Sequence, residues 1–354
     1  MKKISKLLAL LMALAMVFAL AACSGDNGNA DNTASGNQPG DTQADDNQVD
    51  DNQNTEPATD GETYTIGICQ LVQHPALDLA TQGFKDALTE KLGADAIDWQ
   101  EGNASGESTN CATIINDFLS SNVDLILANA TAPLQAAAAA TAEIPVLGTS
   151  VTDYATALEI DDWNGTVGTN VSGTSDLAPL DQQAAMIQEI FPDAETVGLL
   201  YCSGEPNSVY QCTVIEGYLK DMGYNVEWFA FTDTNDLSSV TQAACDSSDV
   251  IYIPTDNTAA NNTEAIANVV LPAGVPVMAG EEGICSGCGA VTLSISYYDI
   301  GYRAGEMAYE ILVNGADVST MAVEYAPEVV KEYNAANCEA LNITVPEDYV
   351  AIEG

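Results

Sequence analysis

Positive charge is what this chain lacks most: its 354 residues include 8 Lys and Arg against 52 Asp and Glu, a formal net charge of −44. Without a basic patch to neutralise phosphates, nucleic acid is excluded as a partner. Anionic lipid headgroups would repel such a surface too. Lys85, Lys91, Lys220, Arg303 and Lys331 are scattered, and none stands in a clamp-like sequence, so a strongly anionic ligand is disfavoured. Histidine occurs once, at His74. No nucleophile and orienting acid stand beside it, and no Gly-x-Ser-x-Gly elbow, phosphate-binding loop or dinucleotide fingerprint is present. The chain is therefore not expected to be an enzyme or to need a cofactor. A pair of cleft carboxylates acting as in a glycosidase is the one enzymatic alternative. The apolar run Leu7 to Leu20 is too short to cross a bilayer but has the length of a signal-peptide core.

That run follows Lys2, Lys3 and Lys6 and closes on Leu20-Ala21-Ala22-Cys23, which resembles the bacterial lipobox. Residues 1–22 read as a lipoprotein signal peptide, leaving Cys23 as an acylated N-terminus. Residues 23–62 read as an acidic linker of Asp, Asn, Gln, Gly, Ser and Thr, with Val49 its only branched aliphatic residue and no aromatic. Such a segment buries too little to offset chain entropy and predicts a disordered tether with a reach of roughly 35 Å. Loss of the signal leaves 5 basic residues against 52 acidic ones, 5 − 52 = −47. The covalent lipid on Cys23 is then the only credible membrane attachment, which places a monomeric protein on the outer face of the cell membrane.

Eight cysteines remain, an even number suited to an oxidising compartment. Candidate disulfides join Cys202 with Cys212 across a short loop and Cys69 with Cys111. Cys285 and Cys288 have the spacing of a redox or zinc half-site, with a structural bridge or two free thiols as the alternatives. A second pair is missing nearby, so no metal is expected. Sequence does not choose the pairing.

From Tyr64 onward short apolar strands alternate with helical patterns, which predicts an α/β fold with parallel sheets covered on both faces. Strands are expected at 65–72, 96–100, 124–128, 145–148, 196–201, 225–231, 249–253 and 276–279. Helices are expected at 77–91, 106–121, 132–142, 177–191, 207–222, 235–246 and 259–271. The second half echoes the first: Ile66-Gly67-Ile68, Asp124-Leu125-Ile126 and Ile144-Pro145-Val146 return as Val197-Gly198-Leu199, Asp249-Val250-Ile251 and Val275-Pro276-Val277. Three matches in order predict a duplicated βαβ series and two Rossmann-like lobes joined by a hinge. One lobe comprises 63–173 plus 296–323 and the other 177–292 plus 326–354, with an amphipathic helix at 297–313 returning to the first.

Ligands of such sheets sit outside the carboxyl ends of the strands. That selects loops 71–75, 129–133 and 149–153 in the first lobe, and 202–208, 254–257 and 280–282 in the second. Two readings stand for Thr131 and Ser208, ligand contact or helix cap, and for Asp256, ligand contact or turn former.

The segments Gln70 to Asp78, Thr131 to Gln135, Thr149 to Asp153, Gly173 to Leu177, Gly204 to Ser208, Ile253 to Asn257 and Gly280 to Glu282 resemble the ABC transporter substrate-binding lipoproteins of the tryptophan/tyrosine type. The resemblance covers nearly all of 62–354 and departs at Glu159 to Gly168, around Asp161-Asp162-Trp163, and in the extra cysteines. It implies a type 1 periplasmic-binding-protein-like fold with three crossovers and a closing hinge. It also implies a small amino acid, often aromatic, as ligand and an ABC permease as partner. A lipid-anchored sensor serving a membrane receptor is the alternative.

The cleft inventory suits a zwitterion. Asp256, Glu281, Glu205 and Asp153 are candidates for the ammonium. Hydroxyls of Thr131, Ser150 and Ser208, with neighbouring backbone amides, are candidates for the carboxylate. His74 is a stacking or hydrogen-bonding contact or, alternatively, a turn residue facing solvent. Ala132, Thr152, Asp176, Asn207 and Asn257 complete the candidate ligand-binding set. If Cys23 is the anchor, Cys23→Ala abolishes incorporation of radiolabelled palmitate; unchanged labelling contradicts the lipobox reading.

Overall fold

The computed structural model describes residues 63–352, so the expected signal peptide, Cys23 and the linker lie outside the described residues. The first half contains β1 (Tyr64–Gln70), α1 (Pro75–Leu92), β2 (Ile97–Asn103), α2 (Ser108–Ser121), β3 (Leu125–Asn129), α3 (Thr131–Ala140), β4 (Val146–Val151), α4 (Tyr154–Ala157) and β5 (Val171–Ser175). The second contains α5 (Leu180–Ile190), β6 (Thr196–Cys202), α6 (Pro206–Asp221), β7 (Asn225–Phe231), α7 (Thr234–Ser247), β8 (Val250–Ile253), α8 (Asn257–Ala260), α9 (Thr263–Ala273), β9 (Val277–Ala279), α10 (Glu282–Cys288) and β10 (Val291–Ser294). There follow α11 (Tyr297–Leu312), β11 (Glu324–Tyr325), β12 (Val330–Tyr333), α12 (Ala335–Leu341) and β13 (Val350–Ala351).

Two separate sheets form, with strand orders β11-β5-β4-β3-β1-β2 and β13-β12-β10-β9-β8-β6-β7. All pairings are parallel except β10 with β12, so the expected α/β class with two parallel-sheet lobes is observed. The strands β3, β4 and β5 are buried along their whole length because helices cover both faces. In the first sheet, one face packs Phe118, Leu134 and Tyr154, and the other packs Phe84, Leu88 and Met307.

The sequence repeat has a structural counterpart. Asp124 Oδ2 accepts the Thr65 N–H at 2.7 Å, and Asp249 Oδ2 accepts those of Glu195 and Thr196 at 2.9 Å. Each aspartate pins the first strand of its lobe to the neighbouring strand. Its own N–H returns to the carbonyl of Thr65 or Thr196.

The chain passes between the sheets three times. β5 belongs to the first sheet, whereas α5 packs on α6 over the second. β10 belongs to the second sheet, whereas α11 packs on α1 over the first. β11 pairs with β5, and β12 with β10. The α1–α11 contact is close because small residues meet on it. Gly301, Ala304, Gly305 and Ala308 of α11 are buried, as are Ala80, Gly83 and Ala87 of α1.

Three expectations need correction. The helix expected over 259–271 is two, α8 and α9, separated at Asn261-Asn262. The strand expected to end at Gly148 runs to Val151 through a register shift, with Ser150 at φ 54°. All eight described cysteines are free thiols, so neither Cys69 with Cys111, Cys202 with Cys212, nor Cys285 with Cys288 is joined. The thiols turn instead to main-chain carbonyls: Cys288 to Ile284 at 3.3 Å, Cys202 to Thr232 at 3.8 Å and Cys111 to Glu107 at 3.9 Å.

A Cβ placed at Gly301 collides with the Ala80 carbonyl. Gly301→Val should therefore force α11 off α1 and cost about 3 kcal/mol, read from urea unfolding.

Candidate functional site

The carboxyl ends of both sheets face one another, and the lobes meet there. His74 Nε2 lies 3.2 Å from Asn257 Oδ1, and the hydroxyls of Thr152 and Thr255 lie 3.3 Å apart. Between them lies a closed cavity lined by His74, Leu77, Asp176, Thr255, Asp256, Asn257, Ala260, Glu281 and Tyr297. It encloses about 10 Å³, room for about one water molecule. Wider grooves of about 380 and 420 Å³ adjoin it; Ala132 lines the larger one.

Lobe one reaches the cleft through strained turns. Ala130 has φ 100° and ψ 169°, a region that is essentially glycine's, and Ser150 has φ 54°. Such conformations cost about 1 to 3 kcal/mol each and persist only when their surroundings enforce them. Here the sheet does so, through the Ala130 N–H bonded to Thr149 O at 3.0 Å. Of the helices that follow, α4 is capped by Asp153, whereas α3, like α1 after β1, has no side-chain cap; their N-caps are Ala130 and His74. Thr131 is buried as the first residue of α3, so its cap reading is corrected: Ala130 holds that position.

In lobe two, carboxylates cap α8 and α10, while α6, like α1, has no side-chain cap. Asp256 is fully buried, and its carboxylate accepts Cys202 N at 2.7 Å and Ala259 N at 2.8 Å. Glu281 accepts Gly283 N at 2.7 Å and also the Ile284 N–H. Glu205 accepts Asn257 N at 2.9 Å, Asn257 Nδ2 at 2.8 Å, and Thr258 N and Oγ1 at 2.8 Å each. Asn207 and Ser208 are buried behind these groups; Asn207 Nδ2 donates to Thr255 O at 2.9 Å. In lobe one, Asp153 caps α4 through Thr156 N at 2.7 Å, outside the cavity lining. Four of the carboxylates expected to meet an ammonium are thus engaged by main-chain donors.

Asp176 differs. It follows β5 at a crossing between lobes, is 4 % exposed, and accepts the Tyr297 hydroxyl at 3.0 Å on Oδ2; the Thr152 hydroxyl also favours its charged form, while Oδ1 has no hydrogen-bond partner. His74 Nδ1, Ser150 Oγ and Asn129 Oδ1 are also buried without a partner. Burial raises Asp176 to about 6 and Glu281 to about 7. Burial, then Glu205, pushes Asp256 up as well, and burial lowers His74. No cation compensates: all five basic residues among those described are bound to carboxylates elsewhere. Among the described residues no cluster suits a metal ion.

Leu77, Ala260 and Tyr297 were not foreseen, and Thr255 lay in the selected loop 254–257 without being named as a contact. Tyr297 had a readable signal, as the first residue of the helix after a lobe crossing. The orientation of Thr255 depends on Gln211, whose Nε2 donates to its hydroxyl at 2.6 Å from another helix.

Two mostly parallel sheets, three crossings and a buried polar site between them define a bilobed fold of the periplasmic-binding type. The chain belongs to the family of ABC transporter substrate-binding proteins, whose model matches residues 65–352. It is 33 % identical over 295 residues to a tyrosine-binding protein of Clostridioides difficile, covering 82 % of this chain and 84 % of that one. It superposes on the ABC domain from Streptococcus pneumonia in complex with L-Trp with a TM-score of 0.77 at 30 % identity, covering 81 % and 97 % of the two chains. Against the ligand-free, open structure of a substrate-binding protein with adhesive properties from Clostridium difficile, the TM-score is 0.64 at 33 % identity, covering 82 % and 99 %.

Because Asp256 is held by two buried main-chain donors, Asp256→Ala should chiefly destabilise lobe two, by about 3 kcal/mol. Urea unfolding checks this; an unchanged midpoint would show that the carboxylate is free.

Proposed function

We propose that this is an exported, monomeric solute receptor that binds a free amino acid with an aromatic side chain and hands it to an ABC permease. The observation that carries the reading is the unpartnered Oδ1 of buried Asp176 in a cavity without any protein cation. A buried carboxylate needs a positive partner, and here only a ligand can bring one. We assign the ligand ammonium to Asp176 in place of Asp256. Its carboxylate goes to the uncapped N-termini of α1 and α3, with the Ser150 hydroxyl nearby, where free N–H groups and the helix dipoles favour an anion. Leu77, Ala260 and Tyr297 offer apolar surface beside these groups.

The tyrosine-binding relative and the L-Trp complex support an aromatic side chain. The signal peptide at 1–22, the lipid on Cys23 and the linker to residue 62 would hold the receptor outside the cell membrane. The lobes 63–173 plus 296–323 and 177–292 plus 326–354 would close on the ligand.

Calorimetry with L-tryptophan, L-tyrosine and L-phenylalanine and their des-amino analogues tests the assignment. A charged hydrogen bond of about 1.5 to 3 kcal/mol predicts that Asp176→Asn weakens amino-acid binding by about one to two orders of magnitude. Wild-type protein that takes the des-amino acids as tightly as the amino acids has no ammonium site.

A further inference from the structure

The direction of every hydrogen bond between Glu205 and His74, the only histidine of the chain, is forced. Main-chain N–H groups are fixed donors, so Glu205 is an acceptor at both oxygens, toward Asn257 N at 2.9 Å and Thr258 N at 2.8 Å. The end of the Asn257 side chain 2.8 Å from Glu205 Oε2 is therefore its NH2 group. That turns the amide oxygen toward His74 Nε2, 3.2 Å away. A carbonyl oxygen only accepts, so Nε2 carries a proton. Nδ1 is then a lone pair, or the second N–H of an imidazolium. Burial of the ring, 7 % exposed, disfavours the imidazolium and outweighs the opposing influence of Asn257, Glu205 and Asp78. Asp176, Asp256, Glu281 and Tyr297 face the same cavity. Neither Asp176 Oδ1 nor His74 Nδ1 has a partner, so the two do not bond to each other.

We propose that His74 Nδ1 is a second acceptor, beside Asp176, for the ligand's N–H groups, and that Asn257, directed by Glu205, is the positioning residue that sets this polarity across the cleft. The inference rests on the amino-acid reading above. An ammonium carries three donors, and two residues that line the cavity each keep a buried atom without a partner. The relay joins lobe two to lobe one, so it is complete only when the lobes meet. In an open cleft the ring is hydrated, chooses its tautomer freely and titrates near its ordinary value of about 6.5. A histidine whose pKa is lower in the closed form favours closure above the open-form pKa and opposes it below. Its contribution to affinity is thus lost as pH falls through about 6.5, by up to tenfold per unit. The cavity carboxylates titrate in the same interval, so the ring nitrogens themselves are the decisive readout.

A single histidine makes that readout unambiguous. In protein labelled with ¹⁵N-histidine and saturated with L-tryptophan or L-tyrosine, we expect one neutral tautomer, protonated at Nε2 and bare at Nδ1, persisting at a pH below the ordinary histidine value of about 6.5. Asn257→Ala should yield mixed tautomers or a protonated ring at that pH and weaken binding about tenfold. A proton on Nδ1 in the saturated wild type, or an Asn257→Ala protein with unchanged tautomer and affinity, overturns the inference while leaving the amino-acid reading intact. Failure of every amino acid to saturate the wild type overturns that reading and this inference with it.

Discussion

An excess of buried negative charge without a buried positive one governs this molecule. Asp176, Asp256 and Glu281 surround a cavity the size of one water molecule, and every described basic side chain is engaged elsewhere. Bringing the lobes together removes water from these groups, which either costs free energy or draws protons onto them. In the function proposed above, a ligand ammonium would remove that cost, and recognition and closure would then be one interaction.

Main-chain donors decide which carboxylates remain for a ligand. Asp256, Glu281 and Glu205 are consumed in holding the first turns of lobe-two helices, so their charge is tied to the fold. In lobe one α3 and α1 start at Ala130 and His74 with no side-chain cap, as α6 does in lobe two. The duplicated halves thus differ at one matched pair of helix starts: α3 is uncapped, whereas α8 carries Asp256. A zwitterion fits this asymmetry, with its anionic end at the open helix termini and its cationic end at Asp176 between the lobes.

The same duplication shows how local strain is tolerated. Ala130 and Ser150 sit at adjacent strand ends in conformations that L-residues rarely adopt. Both lie in a sheet buried on two faces, where loss of pairing would cost more than the strain. The sheet is backed by α1 and by α11, which arrives from the other lobe and fits only because glycines and alanines line the contact. A rigid lobe one therefore supports the two strained turns, and the three crossings leave the lobes linked by few strands.

Much of this was legible in the chain itself. Alternating apolar strands and helical periods specified an α/β protein, because those periodicities follow from backbone geometry. The paired motifs around Asp124 and Asp249 announced two copies of one unit, and both aspartates anchor a first strand. The helix return at 297 was visible as a new amphipathic pattern, and the family was readable from motifs in order. The roles of the carboxylates were not. Asp153, Glu205, Asp256 and Glu281 look equally available in sequence, yet each is engaged by main-chain N–H groups whose positions depend on where helices begin. Asp176 stands out only because Tyr297, 121 residues away, satisfies one of its oxygens and nothing satisfies the other. Thiol pairing was likewise out of reach, since it depends on where each side chain turns inside a packed core. Composition and periodicity determined the class of protein and the excess of carboxylates over cations. Tertiary structure alone decided which carboxylate keeps an unpartnered oxygen, because hydrogen-bond satisfaction is a property of neighbours in space.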